Sequence, residues 1–305
     1  MNKVALIIIY NHQYNDNIDI LEKLYKDRFS NIYHLVPFYT GDKTNVIAVY
    51  ECSYYFQGYI SQGLKSYFKQ EYTHYFFVAD DLLLNPIINE NNYSEHLKLD
   101  TSTCFLPDFL SLHEKEEWWP SVGDAFYWRV TVPGIEAKDQ LPDYEIAMQK
   151  FKQFGLTIKP LRFDQIWETP SSIKEIIKTI LRDKSYIFRY LINKITNKRY
   201  SLSYPIVGSY SDICVISADT IKQFCQYCGV FAATNLFVEV ALPTSLVLSA
   251  KAIVTESDLK LQGKAIWKKD KSHELDKYKN SLTKLLKEFP DRYLYLHPIK
   301  LSKWN

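Results

Sequence analysis

Glycine and methionine are scarce in this chain: its 305 residues carry nine Gly and two Met. The shortage of glycine matters most after the first apolar segment, where YNHQYNDN (residues 10–17) contains none. A loop that cradles phosphates with backbone N–H groups needs glycine at such a place, so a Gly-rich phosphate loop is excluded there. The five cysteines are odd in number and sparse. They do not build a disulfide framework and fit a reducing compartment. Cys225 and Cys228 form one C-x-x-C pair, with no second pair and no His at zinc-site spacing; two small buried residues on a helix are expected. Long apolar runs are missing too. The opening run, Val4 to Tyr10, is too short for the core of a secretory signal, and no run reaches the length of about 20 residues that spans a bilayer. A cytoplasmic protein is expected. Nor does one sign of charge dominate: 37 basic and 35 acidic residues leave +2, so whole-molecule attraction to nucleic acid is not expected.

Aromatic residues, by contrast, make up 15% of the chain, with 24 Tyr, 17 Phe and 6 Trp. Such rings line sugar and base sites or fill a core. The first 80 or so residues alternate in a regular way. KVALIIIYNH is a continuous apolar run and predicts a strand buried on both faces. NDNIDILEKLYKDRF carries Ile18, Leu21, Leu24 and Tyr25 at helical spacing, with Asp16 as the expected N-cap. NIYHLVPFY and NVIAVYE read as strands, YYFQGYISQGLKSYFKQ as a helix and THYFFVADD as a fourth strand. The order β-α-β-β-α-β predicts an α/β fold with a mostly parallel, doubly wound sheet.

The middle of the chain is irregular, punctuated by prolines and by Trp118, Trp119, Trp128 and Trp167, and is expected to pack on the sheet as a separate layer. PDYEIAMQKFKQFG predicts a helix ended by Gly155. From Ile173 to Ile195 apolar residues recur every three or four positions, which predicts one amphipathic helix or two. Through Tyr200 this stretch carries eight Lys or Arg against two acids. Such a helix either lies on an anionic membrane or packs its apolar face on the body and leaves a solvated basic face. Further on, Asp212 to Ser217 predicts a strand followed by a helix ending near Gly229. NLFVEVALPTSLVLSA predicts a buried helix that runs past Pro243 or restarts there. HELDKYKNSLTKLLKEFPDRY predicts a surface helix. No domain linker is evident, and one domain is expected over residues 1–305, with residues 1–86 and 87–305 as its two halves.

In YFFVADDLLLNP a strand that should be buried delivers two carboxylates, Asp80 and Asp81, at its carboxyl end. Ligands of open α/β sheets bind at that edge. Successive strand residues point opposite ways, so both acids face one ligand only if the chain turns there. One acid could bind a ribose hydroxyl, and one could ligate a hard cation such as Mg²⁺ or Mn²⁺ together with substrate phosphates. An acidic turn or helix cap is the structural alternative.

Residues 4–86, with this alternation and the VADDLLLNP segment, resemble the nucleotide-sugar half of GT-A glycosyltransferases, in particular those that build bacterial surface polysaccharides. The likeness departs from a strict Asp-x-Asp motif, because Leu82 follows the acid pair. The resemblance implies a GT-A-like (Rossmann-like) sheet with an irregular acceptor-side segment and C-terminal helices. It implies transfer of a sugar from a nucleotide-diphosphate donor to a glycan or lipid-linked acceptor, at a site that uses either a divalent cation or basic side chains against the diphosphate. Tyr10, Asn11 and His12 match positions near the base. Glu51 could accept hydrogen bonds from base or ribose. Asp80 would bind the donor and Asp81 the metal, with His297 as a late metal ligand and Lys300 on the diphosphate. Asp212 would contact the donor or acceptor sugar, and Asp124 and Trp128 would line the acceptor site. Glu239, a carboxylate inside the apolar run NLFVEVALPT, is costly to bury without a partner or a task and would be the general base. Trp118 and Trp119 could stack on a sugar. A nucleotidyltransferase making activated sugars shares the sheet, but the glycine-free segment 10–17 argues against it. A noncatalytic carbohydrate- or protein-binding scaffold is the rival from another class. Contact with a membrane surface stays open through the basic helix, at the inner membrane face.

Overall fold

The computed structural model describes residues 3–11, 14–116, 118–134, 136–266 and 269–304. The N-terminal part comprises β1 (Lys3–Ile9), α1 (Asp16–Tyr25), β2 (Ile32–Pro37), β3 (Val46–Val49), α2 (Gln57–Tyr67) and β4 (Tyr72–Ala79). These strands pair in parallel in the order β3-β2-β1-β4, with Ile7 opposite Phe77 and Ile9 opposite Ala79. Side-chain alternation explains why β1 is apolar at every position. Val4, Leu6, Ile8 and Tyr10 enter one core with Ile18, Leu21 and Tyr25 of α1. Ala5, Ile7 and Ile9 enter a second core with Tyr59 and Ile60 of α2. The sheet is therefore covered by helices on both faces.

Beyond β4 follow β5 (Leu83–Leu84), α3 (Tyr93–His96), β6 (Thr103–Phe105), α4 (Pro120–Tyr127), α5 (Tyr144–Gln153), α6 (Phe163–Ile166), α7 (Ile173–Arg182), α8 (Tyr186–Thr196), β7 (Ile213–Ser217), α9 (Ile221–Ala233), α10 (Val238–Ser249), β8 (Ala252–Val254), β9 (Gln262–Ala265), α11 (Lys269–Asp276), α12 (Leu282–Lys287) and β10 (Tyr293–His297). β7 lies antiparallel between β4 and β6, and β8 joins β6 in parallel. The result is a seven-stranded, mostly parallel sheet, β3-β2-β1-β4-β7-β6-β8, in an α/β architecture. A second sheet has the order β5-β10-β9. Its strand β5 starts only a few residues after β4 and runs antiparallel to β10, which brings the end of the chain to the tip of β4.

Several sequence expectations change. The middle region does not simply cover the sheet. Val122, Trp128, Phe151, Phe163 and Trp167 form a third core whose other wall is Phe231 of α9 and Val240 and Val247 of α10. Asp16 is the first helical residue of α1 and not its cap; Asn15 holds the cap position without a side-chain cap bond. α9 passes through Gly229, which has a helical neighbourhood and no positive φ. The expected C-terminal surface helix is two short ones, α11 and α12. Gly155, with φ +71°, does follow α5. Cys225 and Cys228 are both buried on α9, where burial pushes the Cys225 thiol up to about 12. Among the described residues no helix is long and apolar enough to cross a membrane.

Candidate functional site

At the end of β4 the ladder is still closed: Ala79 N–H donates to Asp212 O and Asp80 N–H to Ile9 O, both at 2.9 Å. The chain then turns, with Leu82 N–H donating to Ala79 O at 3.0 Å. This turn cancels the alternation that would have sent the two carboxylates apart. Asp80 and Asp81 line one cavity of about 260 Å³, together with Asn11 and the α1-side residues Tyr14 and Asn17. Its other wall is the C-terminal segment, with Pro298, Lys300, Leu301 and Ser302. Asp80 is only 5% exposed. Its Oδ2 accepts from Asn17 Nδ2 at 3.3 Å. Burial first, and the neighbouring Asp81 charge second, push the Asp80 carboxyl up to about 7.

The C-terminal segment is fastened to this tip. Ile299 N–H donates to Asp81 O at 2.7 Å, and Asn85 Nδ2 donates to Tyr293 O at 2.7 Å. His297, buried at the end of β10, places Nε2 at 2.8 Å from Asp81 Oδ1 and 3.6 Å from Asp212 Oδ1. Its Nδ1 is hydrogen bonded to the Tyr210 hydroxyl. Burial opposes a charge on this imidazole, but the carboxylates of Asp81 and Asp212 outweigh it and its pKa is raised. Burial raises the Asp212 carboxyl, with His297 pulling it back. The two residues that sequence spacing linked, His297 and Lys300, therefore do meet the acid pair: one pairs with Asp81 and the other lines the cavity.

Glu239 stands in the first turn of α10, and a proline explains its surroundings. Pro243 has no N–H to give to the carbonyl four residues back. That carbonyl, Glu239 O, accepts instead from Ser209 N–H at 2.9 Å. The bond seats Ser209 beside α10, three residues before Asp212. The Glu239 side chain accepts from Ser121 Oγ at 3.0 Å. Burial raises its pKa; Ser121 counters this, and the Asp212 charge adds to the rise. Asp124, one turn after Ser121 on α4, accepts from the Tyr54 hydroxyl at 2.5 Å. Tyr54 in turn packs on Phe237, with ring centroids 4.2 Å apart.

Other expected contacts are not made. Tyr10 is wholly buried, and its hydroxyl is bonded to His34 Nδ1 at 2.9 Å. The alternation of β1 turns it into the core, away from the cavity that its neighbour Asn11 lines. Trp128 is also core: its Nε1 donates to Thr234 Oγ1 at 3.0 Å and its ring packs edge-on against Phe231 and Tyr204. It offers no face to a sugar. Glu51 closes its own loop, accepting from Cys52 N–H at 2.7 Å, and does not line the cavity. His12 lies outside the described residues. Trp119 is half-buried, with Lys115 Nζ 5.0 Å from its ring centroid, and Trp118 stays exposed.

A second, open groove of about 400 Å³ is lined by Asp108, Tyr210, Glu256, Gln262 and Tyr295 among others. The Tyr210 and Tyr295 rings stack with an 8° interplanar angle. Glu256 accepts from the Tyr295 hydroxyl at 2.8 Å, and Ser209 Oγ donates to Asp108 at 3.2 Å. Sequence reading missed this groove, as it missed Tyr14 and Asn17. Its residues are far apart in the chain and meet where β10 pairs with β9 and where Leu110 bridges Gly208.

Among the described residues no three His, Cys, Asp or Glu side chains are gathered into a ready cation site. Asp81 Oδ1 and His297 Nε2 are hydrogen bonded at 2.8 Å. That spacing also suits two donors on one hard ion with bonds of about 2.1 Å. Asp81 and His297 thus supply two donors for a divalent cation that would complete its shell from substrate oxygens, provided His297 gives up its Nε2 proton. No protein-family model matches the chain, and no curated protein matches it.

Proposed function

We propose that the protein is a GT-A-type glycosyltransferase that moves a sugar from a nucleotide-diphosphate donor to a hydroxyl of a glycan or lipid-linked acceptor, in the synthesis of surface polysaccharide. One observation carries the reading. A cavity at the carboxyl ends of β1 and β4 holds two adjacent acids, one of them buried, and is walled by a C-terminal segment that brings His297 and the ammonium of Lys300 to the same place. Open α/β sheets bind their ligands at this edge. A buried carboxylate beside a second one, held here by Asn17 and a raised pKa, gains most from a ligand that brings a positive or donating group.

In this reading Asn11, Tyr14 and Asn17 hold the nucleoside end and Asp80 accepts from a ribose hydroxyl. Lys300 meets the diphosphate as a point charge. A divalent cation held by Asp81 with His297 or Asp80 would supply further neutralisation of the leaving diphosphate. Asp212 and Asp81 keep the imidazole of His297 oriented. The acceptor lies along the groove of Tyr210, Tyr295 and Glu256, where ring faces and carboxylates suit sugar rings and hydroxyls. Glu239, its pKa raised by burial, takes the proton of the attacking hydroxyl if the reaction inverts the anomeric carbon; in a retaining enzyme it positions the sugars.

The test is donor consumption. UDP-, GDP- and CMP-sugars are incubated in turn with the protein, with and without Mn²⁺, and free nucleotide is measured. Turnover of one donor class, lost on Asp80→Asn together with Asp81→Asn, is expected. Failure to bind or consume any of them would favour a noncatalytic scaffold.

A further inference from the structure

Helices α7 and α8 are turned inside out. On α7 the buried residue is Thr179, while Ile173 is 76% and Leu181 77% exposed. On α8 the buried residue is Tyr186, while Phe188 is 66% and Ile195 84% exposed. Ile177 and Leu191 are exposed as well. An apolar crevice of about 130 Å³ runs between the two helices, floored by Ile180 and Tyr190. The expectation that the apolar stripe packs on the body is thereby corrected. The body holds the pair by a few aromatic contacts, such as Tyr186 and Tyr190 against Phe163, and by Arg189 over Trp167. The long aliphatic side chains point outward. A contiguous apolar face of this kind marks an interaction surface.

The charges on the same helices say what it meets. Lys174, Lys178, Lys184 and Lys194 are exposed. The two acids of the stretch are already engaged: Glu175 accepts from Ser171 N–H at 2.8 Å, and Asp183 is paired with Arg189. A basic rim around an apolar face complements an anionic bilayer, in which the apolar side chains sink below the headgroups while lysines stay among the phosphates. A second copy docked two-fold on the same face would bring these lysines together, which like charges oppose. We propose that α7 and α8 form a membrane-docking face that lies flat on an anionic lipid surface. This inference does not rest on the glycosyltransferase reading.

Co-sedimentation with vesicles tests it. The whole protein should pellet with phosphatidylcholine vesicles containing about 30% phosphatidylglycerol at low salt, and weakly with phosphatidylcholine alone. Salt at about 0.5 M should release at least about tenfold of the binding. Leu181→Asp with Phe188→Asp should abolish binding without lowering the melting temperature, and Lys174→Glu with Lys178→Glu should weaken it about tenfold or more. Both pairs lie outside the donor cavity, so donor turnover reports separately on the other reading. The proposal is overturned by absence of pelleting at low salt, or by equal pelleting of the Leu181/Phe188 variant. It is overturned equally by a dimer in light scattering that the same variant dissolves, which would assign the face to a second copy.

Discussion

The tip of β4 and the helix pair α7–α8 depart from ordinary sorting in opposite senses. At the strand tip a carboxylate is buried, beside a second one, and among the described residues no Lys or Arg is bonded to it; on the helices, large aliphatic side chains stand in water. Burying a charge and exposing an apolar face both oppose folding. In the readings proposed above, the partner that relieves each is a second molecule: a cationic or hydroxyl-bearing ligand at one, a lipid surface at the other. Strand β1 sorts normally, with its side chains divided between two cores.

Among substitutions, the largest effect is expected at the acid pair. Asp80→Asn with Asp81→Asn should lower sugar transfer about a thousandfold or more, because the ribose contact and the cation ligand are lost together; steady-state turnover at saturating donor measures it. Next comes an ordinary core position: Ile8→Ala should destabilise the fold by about 2–5 kcal/mol in urea denaturation. Glu239→Gln should lower kcat about a hundredfold with donor affinity and melting temperature kept; a KM change with unaltered kcat would instead make it a binding residue.

Asp80→Asn alone should act on stability in the direction opposite to a core substitution. The folded-state pKa of about 7 lies above the ordinary 3.8. The group therefore favours the folded state fully below pH 3.8, and that contribution is lost as pH rises through about 7. Asparagine carries no such dependence. The variant should be more stable than the parent by roughly 1–3 kcal/mol at pH 8, with the difference vanishing near pH 4; denaturation series at the two pH values decide it. The smallest effect is expected on the outward face, where Leu181→Lys should change stability by less than about 0.5 kcal/mol. A larger loss would mean that α7 packs against something within the chain.

Much of the fold was legible in the sequence because the N-terminal strands and helices carry their periods openly. The carboxylates of Asp80 and Asp81 could be placed at a sheet edge from the apolar run that precedes them, and Glu239 was conspicuous among apolar neighbours. Tyr10 was misplaced because a fully buried strand gives no sign of which face a residue takes. Trp128 was misplaced because a tryptophan suits a core and a sugar site equally well. The meeting of His297 with Asp81 could be guessed only from residue type, since 216 positions separate them and β10 joins them through a pairing with a two-residue strand. The groove of Tyr210, Tyr295 and Glu256 had no local signal at all. For α7 and α8 the pattern announced an amphipathic pair, but which side faced the body was a tertiary matter settled by Thr179 and Tyr186.

The most direct test of the acid-pair site is calorimetric titration of the UDP-, GDP- and CMP-sugar panel, with Mn²⁺ present, onto the parent protein and onto the Asp80→Asn, Asp81→Asn variant. The expected result is saturable binding of one donor to the parent and a loss of about a hundredfold or more in the variant. Equal affinity for both proteins, or no binding to the parent by any donor, would contradict it.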